Sequence, residues 1–204
     1  MSDSKKKLIC VIGAGSSGIT AVKECIDAGF DVICYEYTDG VGGLWRYREE
    51  DIEGVPSVTK NTIINTSKEM SAYSDFPPEA NYPNYMPNKD MCRYFEQYTE
   101  HFNLYPKIRF NHQVINVTFN DDYEKTGKWK VTVFNRNNQQ TFEKVFDGVM
   151  IASGHHVKPI IPQFPGQEKF KGTIMHSHSY KTWHQFEDKV VVVVGIGNSG
   201  GDAA

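Results

Sequence analysis

The order of apolar and polar positions predicts a parallel α/β unit at the start of the chain. Leu8–Ile12 is a continuous apolar run, which is typical of a central strand that is buried on both faces. Apolar residues then recur at helical spacing, at Ile19, Val22 and Ile26. Gly29 suits the position that ends a helix, and Asp31–Glu36 is a second apolar strand that closes on an acid. The pattern therefore predicts strand, helix and strand in succession.

The middle of the chain predicts an irregular segment, a helix and a small antiparallel sheet. Ser74–Asp90 is rich in proline and aromatic residues and has no period, which favours an ordered loop or a lid. Asn88 can cap a helix with one apolar face, formed by Met91, Tyr94, Phe95, Tyr98 and Phe102. Alternating segments joined by polar turns predict a β-meander, at Lys107–Asn120, Lys128–Asn135 and Gln140–Ile151. A buried strand, Val149–Ala152, is predicted to lead into a linker bounded by prolines.

Three glycines after the first strand have the spacing of a dinucleotide-binding turn. Gly13 permits the tight turn, Gly15 lets a pyrophosphate approach the backbone, and Gly18 lets the helix pack on the strand. Glu36 follows Gly18 by 18 residues and would accept hydrogen bonds from a ribose, while its charge repels a 2′-phosphate. The site therefore favours FAD or NAD over NADP. The alternative is a glycine turn in an unrelated α/β fold.

The same succession of apolar strand, glycine turn and helix start occurs again near the end of the chain. Lys189–Asp202 is an apolar strand followed by Gly195, Gly197, Gly200 and the start of a helix. Two such turns imply two cofactors that meet, as hydride transfer from a nicotinamide to a flavin requires. One strand and one helical turn cannot bury Val190–Val194 on both faces, so we expect this segment to fray or aggregate.

Composition and charge exclude several functions. The chain has 204 residues, a formal net charge of -3 and 39% hydrophobic residues, so it can bury a core and gives no electrostatic reason to bind nucleic acid. Its four cysteines form no C-x-x-C pair, which predicts reduced thiols and argues against a disulfide reductase. We expect no metal site, because His176, His178 and Tyr180 lack carboxylates or cysteines at ligand spacing.

One uninterrupted segment carries a resemblance to a known family. FKGTIMHSHSY resembles the F-x-G-x-x-x-H-x-x-x-Y fingerprint of the animal-type flavin-containing monooxygenases, with Phe170, Gly172, His176 and Tyr180 at its fixed positions. The segments GGLWRY, NTSKEM, SDFP, SGHH and GIGNSGGD support it, and the resemblance covers essentially the whole chain. Baeyer–Villiger monooxygenases carry a tryptophan where Tyr180 stands, so the branch that oxidises nitrogen and sulfur is favoured.

The resemblance implies roles for individual residues. FAD would be held by Gly13, Ala14, Gly15, Ser16, Ser17, Gly18, Glu36, Gly43, Leu44, Trp45 and Thr66. Asn65 would be the active-site asparagine beside the flavin, and with Ile64 it would contact the nicotinamide cofactor. NADPH would bind at the second turn, through Gly195, Gly197, Asn198, Ser199, Gly200, Gly201 and Asp202.

The resemblance also implies an activity. It is the oxygenation of small nucleophilic amines or sulfur compounds with NADPH and O2, through a C4a-hydroperoxyflavin, as in xenobiotic metabolism. Two alternatives remain: a Baeyer–Villiger monooxygenase on the same scaffold, and a catalytically inactive FAD-binding remnant. Alone, the 204-residue chain is expected to hold FAD weakly and not to turn over NADPH.

The expected architecture is α/β. Residues 1–162 would form a Rossmann-like FAD-binding domain, a parallel sheet with an antiparallel meander. Residues 163–204 would hold a linker, the fingerprint and the truncated start of a second Rossmann domain for NADPH. Family members are longer, and a full-length parent is expected on the cytosolic face of the endoplasmic reticulum membrane, attached through a C-terminal segment absent here. The chain alone is expected in the cytoplasm.

Overall fold

The computed structural model describes residues 6–204, which divide into two compact units. The first unit comprises the chain up to Gly43 together with Cys92–Gly154, and the second comprises Leu44–Met91 and His155–Ala204. Each unit is thus built from two separate segments. The domain boundary expected at residue 162 stays a prediction.

Strands and helices follow one another in the order that an α/β fold requires. In chain order they are β1 (Leu8–Ile12), α1 (Ser16–Asp27), β2 (Asp31–Tyr35), α2 (Asn88–His101), β3 (Ile108–Arg109), β4 (His112–Phe119), α3 (Tyr123–Thr126), β5 (Trp129–Asn135), β6 (Gln140–Phe146), β7 (Gly148–Ile151) and α4 (Asn198–Ala203). Short 3-10 helices occupy Gly43–Trp45, Tyr105–Lys107, Gln167–Lys169, Ser177–Ser179 and Trp183–Phe186. The prediction of a mixed α/β chain is confirmed.

A parallel sheet forms the centre of the first unit, with strand order β3-β2-β1-β7 among the described residues. Val11 of β1 pairs with Cys34 on one side and with Met150 on the other, and it is fully buried. The last strand was expected to be buried, but Met150 is 42% and Ile151 76% exposed. Among residues 6–204, β7 is an edge strand that pairs with β1 alone, so no neighbouring strand covers its other side.

α1 connects β1 to β2 and ends as the sequence predicts. Its buried face comprises Gly18, Ile19, Val22 and Cys25. Gly29 has a φ of +83°, and its N–H donates to the Ile26 carbonyl while the N–H of Phe30 donates to that of Cys25. This pair of bonds satisfies the last carbonyls of the helix and needs a residue that tolerates positive φ.

The predicted meander is present as the antiparallel sheet β4-β5-β6. Val131, Val133 and Phe146 pack from its inner face against Cys10 and Tyr35 of the parallel sheet. These side chains are at most 4% exposed, so both sheets of the first unit share one apolar core.

Two predicted strands are each divided between the two sheets. The segment Lys107–Asn120 breaks after β3, because Asn111 takes a φ of +57°. The segment Gln140–Ile151 breaks at Asp147, which exchanges hydrogen bonds with the main chain of Leu8 and so starts a new pairing with β1. The prediction of continuous strands was wrong at both places.

α2 has the apolar face that the sequence predicts. Met91, Tyr94, Phe95 and Tyr98 are at most 4% exposed, and the ring of Phe102 lies 4.8 Å from that of Tyr98. The helix begins at Asn88 itself rather than after it, and the Asn88 side-chain amide donates to the Thr59 carbonyl at 2.8 Å. The predicted cap is therefore off by one residue.

The predicted strand at Val190–Val194 is not formed. No strand pairs with it in residues 6–204, and its side chains alternate between more and less exposed, from 98% at Val190 to 36% at Val193. The expectation that these valines remain partly in water is confirmed. Within the same residues, no helix is both long and apolar enough to cross a bilayer.

Candidate functional site

The first glycine turn has no room for side chains at two of its three glycines. A Cβ on Gly18 would lie 1.8 Å from the Gly13 carbonyl oxygen, and one on Gly13 would lie 2.5 Å from the Ala152 carbonyl oxygen. Gly13 also has a φ of +99°, which L side chains rarely adopt. Only glycine therefore allows the chain to turn this sharply from β1 into α1.

Gly15 lies at the mouth of this turn, immediately before α1. Ser16 and Ser17 form the first exposed residues of the helix, whose N-terminus carries partial positive charge. Gly43 comes so close that a Cβ on it would lie 3.0 Å from the Gly15 Cα. Backbone alone lines this part of the turn, as the approach of a pyrophosphate to a helix N-terminus requires.

Glu36 is fixed beside the turn by hydrogen bonds to its carboxylate. Oε2 accepts from the Ala14 N–H at 2.6 Å, and Oε1 accepts from the N–H of Thr38 at 2.8 Å and from its hydroxyl at 2.7 Å. The side chain is 7% exposed. The structure therefore brings together the turn Gly13–Gly18, Glu36 and Gly43, and their binding of a dinucleotide stays a prediction.

The thiol of Cys34 lies under the same turn. Its Sγ is 3.4 Å from the Gly13 carbonyl oxygen. Burial raises the pKa of this thiol well above its ordinary value, and the nearby Glu36 carboxylate raises it further. Cys34 is thus a neutral packing residue and not a nucleophile.

The second glycine turn repeats the local geometry of the first. Gly195 has a φ of +113°, against +99° for Gly13, and a Cβ on Gly200 would lie 2.4 Å from the Gly195 carbonyl oxygen. Gly197 precedes α4 with an extended ψ of -179°, as Gly15 precedes α1 with -168°. The turn keeps this shape although the strand before it has no partner in residues 6–204.

A cavity of about 390 Å³ opens at the second turn. Its lining comprises His156, Ser177, Val193, Val194, Gly195, Gly197, Asn198, Ser199, Gly200 and Ala203. Within α4, the Asp202 carboxylate accepts a hydrogen bond from the Thr62 hydroxyl at 3.0 Å. Ser177 and Thr62 were not singled out in the sequence, because their distance along the chain from Gly195–Asp202 hides the contact.

The remaining predicted cofactor residues lie in the second unit. Leu44 and Trp45 are half-buried within one short 3-10 helix. Ile64 is 6% exposed, and its N–H donates to the Met86 carbonyl. Asn65 and Thr66 are exposed, and the Thr66 hydroxyl lies 2.6 Å from that of Ser71. Asn65 thus presents its amide to the surroundings while the residue before it anchors the segment.

The fingerprint segment is bound to the Asp51–Ser57 loop. The two ring nitrogens of His178 face the Asp51 carboxylate at 2.9 Å and the Val55 carbonyl at 3.1 Å, and the Ser179 hydroxyl donates to Asp51. The Lys181 ammonium donates to the Ser57 hydroxyl. The Ser179 hydrogen bond, with the charges of His178 and Lys181, lowers the pKa of Asp51. This polar contact between distant segments has no sequence pattern that could have predicted it.

His176, His178 and Tyr180 were considered above as metal ligands and set aside because of their spacing. Residues 6–204 contain no group of three or more histidine, cysteine or acidic side chains that could hold an ion. His176 instead accepts a hydrogen bond at Nδ1 from the N–H of His178, which shapes the turn Ser177–Ser179.

Comparison with known proteins identifies the family. The model of the family described as flavin-binding monooxygenase-like matches residues 5–204. The chain belongs to this flavin-binding monooxygenase-like family. The resemblance to flavin-containing monooxygenases is thereby confirmed, and both glycine turns fall within the matched residues.

Named members of the family support the assignment. The chain is 46% identical over 201 residues to rat flavin-containing monooxygenase 5, covering 98% of the chain and 37% of that protein. It is 43% identical over 200 residues to guinea pig dimethylaniline monooxygenase [N-oxide-forming] 2, with 97% of the chain and again 37% of that protein covered. The chain therefore spans little more than a third of the length of these relatives.

A solved structure agrees with the fold. The crystal structure of Tmm from Pelagibacter sp. matches with a TM-score of 0.86 and 28% identity, over 97% of this chain and 47% of that one. The Rossmann-type α/β fold predicted from the sequence is confirmed by this match.

Proposed function

We propose that this chain is the FAD-binding part, with the start of the NADPH-binding part, of an oxygenase that uses NADPH and O2. The single observation that carries the proposal is the cradle of Gly13–Gly18 and Glu36, in which Gly13 and Gly18 leave no space for a Cβ and a fixed carboxylate stands beside them. The flavin-binding character of the family supports FAD as the group that occupies it.

The residues of the first unit fit an adenine dinucleotide without a 2′-phosphate. The backbone of Gly13–Gly18 and the N-terminus of α1 would hold the pyrophosphate, and Glu36 would accept from a ribose hydroxyl. Leu44, Trp45 and Thr66 stay predicted FAD-binding residues. FAD, when bound, supplies the redox chemistry between NADPH and O2.

The second turn would hold the pyrophosphate of NADPH. Gly195, Gly197 and Gly200 form a turn of the same shape, and the residues from Asn198 to Asp202 follow it on α4. His156 and Ser177 line the adjoining cavity and offer polar atoms to the same ligand. The match in geometry with the first turn supports this assignment.

We propose that Asn65 lies beside the reacting groups of the bound cofactors. Its exposed amide can donate and accept hydrogen bonds but supplies no acidic proton, so it can orient the nicotinamide cofactor and the reacting oxygen without protonating either. Ile64, whose side chain is buried, would contact NADPH through its main chain.

The substrate class that we propose is a small amine or sulfur compound with a soft nucleophilic atom. The guinea pig relative, named as N-oxide-forming, supports nitrogen oxygenation. Tyr180 favours this branch over the Baeyer–Villiger monooxygenases, which carry tryptophan at its position. The location on the endoplasmic reticulum membrane and the role in xenobiotic metabolism stay predictions.

A flavin-binding chain without turnover is the second candidate. The observation that favours it is the exposed Val190–Val194 segment, which leaves the strand before the second turn unpaired among residues 6–204. Hydride transfer depends on close positioning of NADPH, and a segment without a paired neighbour gives the second turn less support.

Product analysis separates these functions. The purified protein is supplied with FAD, NADPH and O2 and offered a tertiary amine, a thioether and a ketone in parallel. An N-oxide or a sulfoxide supports our proposal, whereas an ester from the ketone alone supports the Baeyer–Villiger alternative. Bound flavin with no product and no NADPH oxidation supports the second candidate.

A further inference from the structure

The Glu36 carboxylate has one free acceptor position in the described part of the chain. A carboxylate oxygen accepts about two hydrogen bonds. Oε1 already receives two, from the N–H and the hydroxyl of Thr38, whereas Oε2 receives one, from the N–H of Ala14. A ribose carries two neighbouring hydroxyls, so it offers more donors than Glu36 has positions left.

The main chain of Thr38 is fixed on both sides. Its carbonyl accepts from the Asn111 N–H at 2.9 Å. The carbonyl of Tyr37 accepts from Arg136 Nη1 at 3.0 Å, and the Arg136 guanidinium lies 4.2 Å from the centre of the Tyr37 ring. The N–H that Thr38 donates to Glu36 therefore stays in place, and only the hydroxyl can change partner.

The Thr38 hydroxyl has a second acceptor that is weaker. The Gly40 carbonyl lies 3.2 Å from Oγ1, against 2.7 Å for Glu36 Oε1. A short hydrogen bond to a carboxylate is stronger than a long one to a neutral carbonyl. If the Thr38 hydroxyl turned toward Gly40, it would lose its stronger hydrogen bond to Glu36. A ribose hydroxyl that took its place would have to make up for that loss.

We propose that Thr38 determines ribose recognition by occupying one of the two positions at which Glu36 could accept a ribose hydroxyl. The site then recognises a single hydroxyl of the adenosine ribose through Oε2, while Oε1 remains bonded to Thr38. This inference rests on the proposed dinucleotide function and deepens it, because it assigns specificity to a residue outside the glycine turn and the ribose acid.

The test compares three nucleotides with three forms of the protein. ADP, 2′-deoxy-ADP and 3′-deoxy-ADP compete with FAD, whose binding is followed by flavin fluorescence, in the wild type, Thr38→Val and Thr38→Ser. The wild type should lose roughly tenfold or more in affinity with one deoxy nucleotide and less than about twofold with the other, as loss of a hydrogen bond to a charged group predicts.

Thr38→Val removes the competing hydroxyl at nearly constant shape, and it should make the protein sensitive to the loss of either ribose hydroxyl. It should also bind ADP more tightly than the wild type does. Thr38→Ser keeps the hydroxyl and should reproduce the wild-type pattern, so it controls for changes in folding.

The outcomes separate this inference from the function on which it rests. A Thr38→Val protein that discriminates among the nucleotides as the wild type does overturns the role of Thr38. Equal binding of all three nucleotides to the wild type also overturns it, while the dinucleotide site stands. A folded wild type that binds neither FAD nor ADP overturns the proposed function as well.

Discussion

Gly18 shows how one residue without a side chain determines the first turn. A Cβ at this position would lie 1.8 Å from the Gly13 carbonyl oxygen, which is backbone and cannot rotate away. We predict that Gly18→Ala lowers the free energy of unfolding by about 1–3 kcal/mol, as overpacking does, and weakens FAD binding at least tenfold. Thermal unfolding and FAD titration measure the two effects.

The second turn supplies matched controls for this substitution. Gly201→Ala places its Cβ in open space on α4 and should lower neither quantity, whereas Gly200→Ala meets the Gly195 carbonyl oxygen at 2.4 Å. Gly200→Ala should leave FAD affinity intact and weaken NADPH binding instead. Loss of FAD binding in Gly201→Ala, or its retention in Gly18→Ala, would argue against a steric role of Gly18.

Residues of the cofactor site were predictable to different degrees. The spacing of Gly13, Gly15, Gly18 and Glu36 predicts the cradle, because each position has its own backbone or charge requirement. Thr38 could not be found in this way, since its contact with Glu36 depends on how the chain turns after β2. The bond of His178 to Asp51 joins segments far apart in sequence and has no periodic signal.

At the scale of elements, β1 carries a buried thiol that makes the sheet sensitive to alkali. Burial raises the pKa of Cys10 from 9.0 to about 12. Between these values the unfolded chain has lost a proton that the folded chain retains, so the free energy of unfolding falls as pH rises, by about 1.4 kcal/mol per pH unit. We predict that the free energy of unfolding falls in this way above pH 9, and that Cys10 causes no such fall below pH 9.

Urea unfolding of the wild type and Cys10→Ala from pH 8 to 10.5 checks the prediction. The variant lacks the titrating thiol, so its free energy of unfolding should fall less steeply with pH, whatever its value at pH 8. Burial, and after it the charge of Cys10, raises the pKa of Tyr35 to about 12, so Tyr35 contributes less in the variant and the difference between the two curves includes this coupling. Parallel curves for the two proteins would contradict the assignment.

Helices and strands were predictable where the pattern of apolar residues is long enough to indicate which surface the element packs against. The helices α1 and α2 and the three antiparallel strands follow from their periodicity. β3 has two residues and shares an apolar run with β4, so the sequence alone could not assign them to different sheets. The valine segment has the pattern of a strand, but a strand also needs a neighbour with which to form hydrogen bonds.

At the scale of the whole chain, the strongest signal is the repetition of one glycine turn. The two turns lie in different units and still agree in the φ of their first glycine and in the closed space beneath their third. Agreement between distant segments indicates two cofactors more firmly than either turn alone. The division into interrupted units was not predictable, because it depends on contacts between segments far apart in sequence.

The measurement that tests the central claim most directly is the visible absorption spectrum of the purified protein after incubation with FAD and removal of free flavin. We predict that the wild type, which is expected to hold FAD weakly, keeps part of the oxidised flavin, and that Glu36→Gln retains less because the amide cannot accept from Ala14 and Thr38 with both of its atoms. A wild-type protein that is folded by circular dichroism, yet releases all of the FAD, would contradict the account.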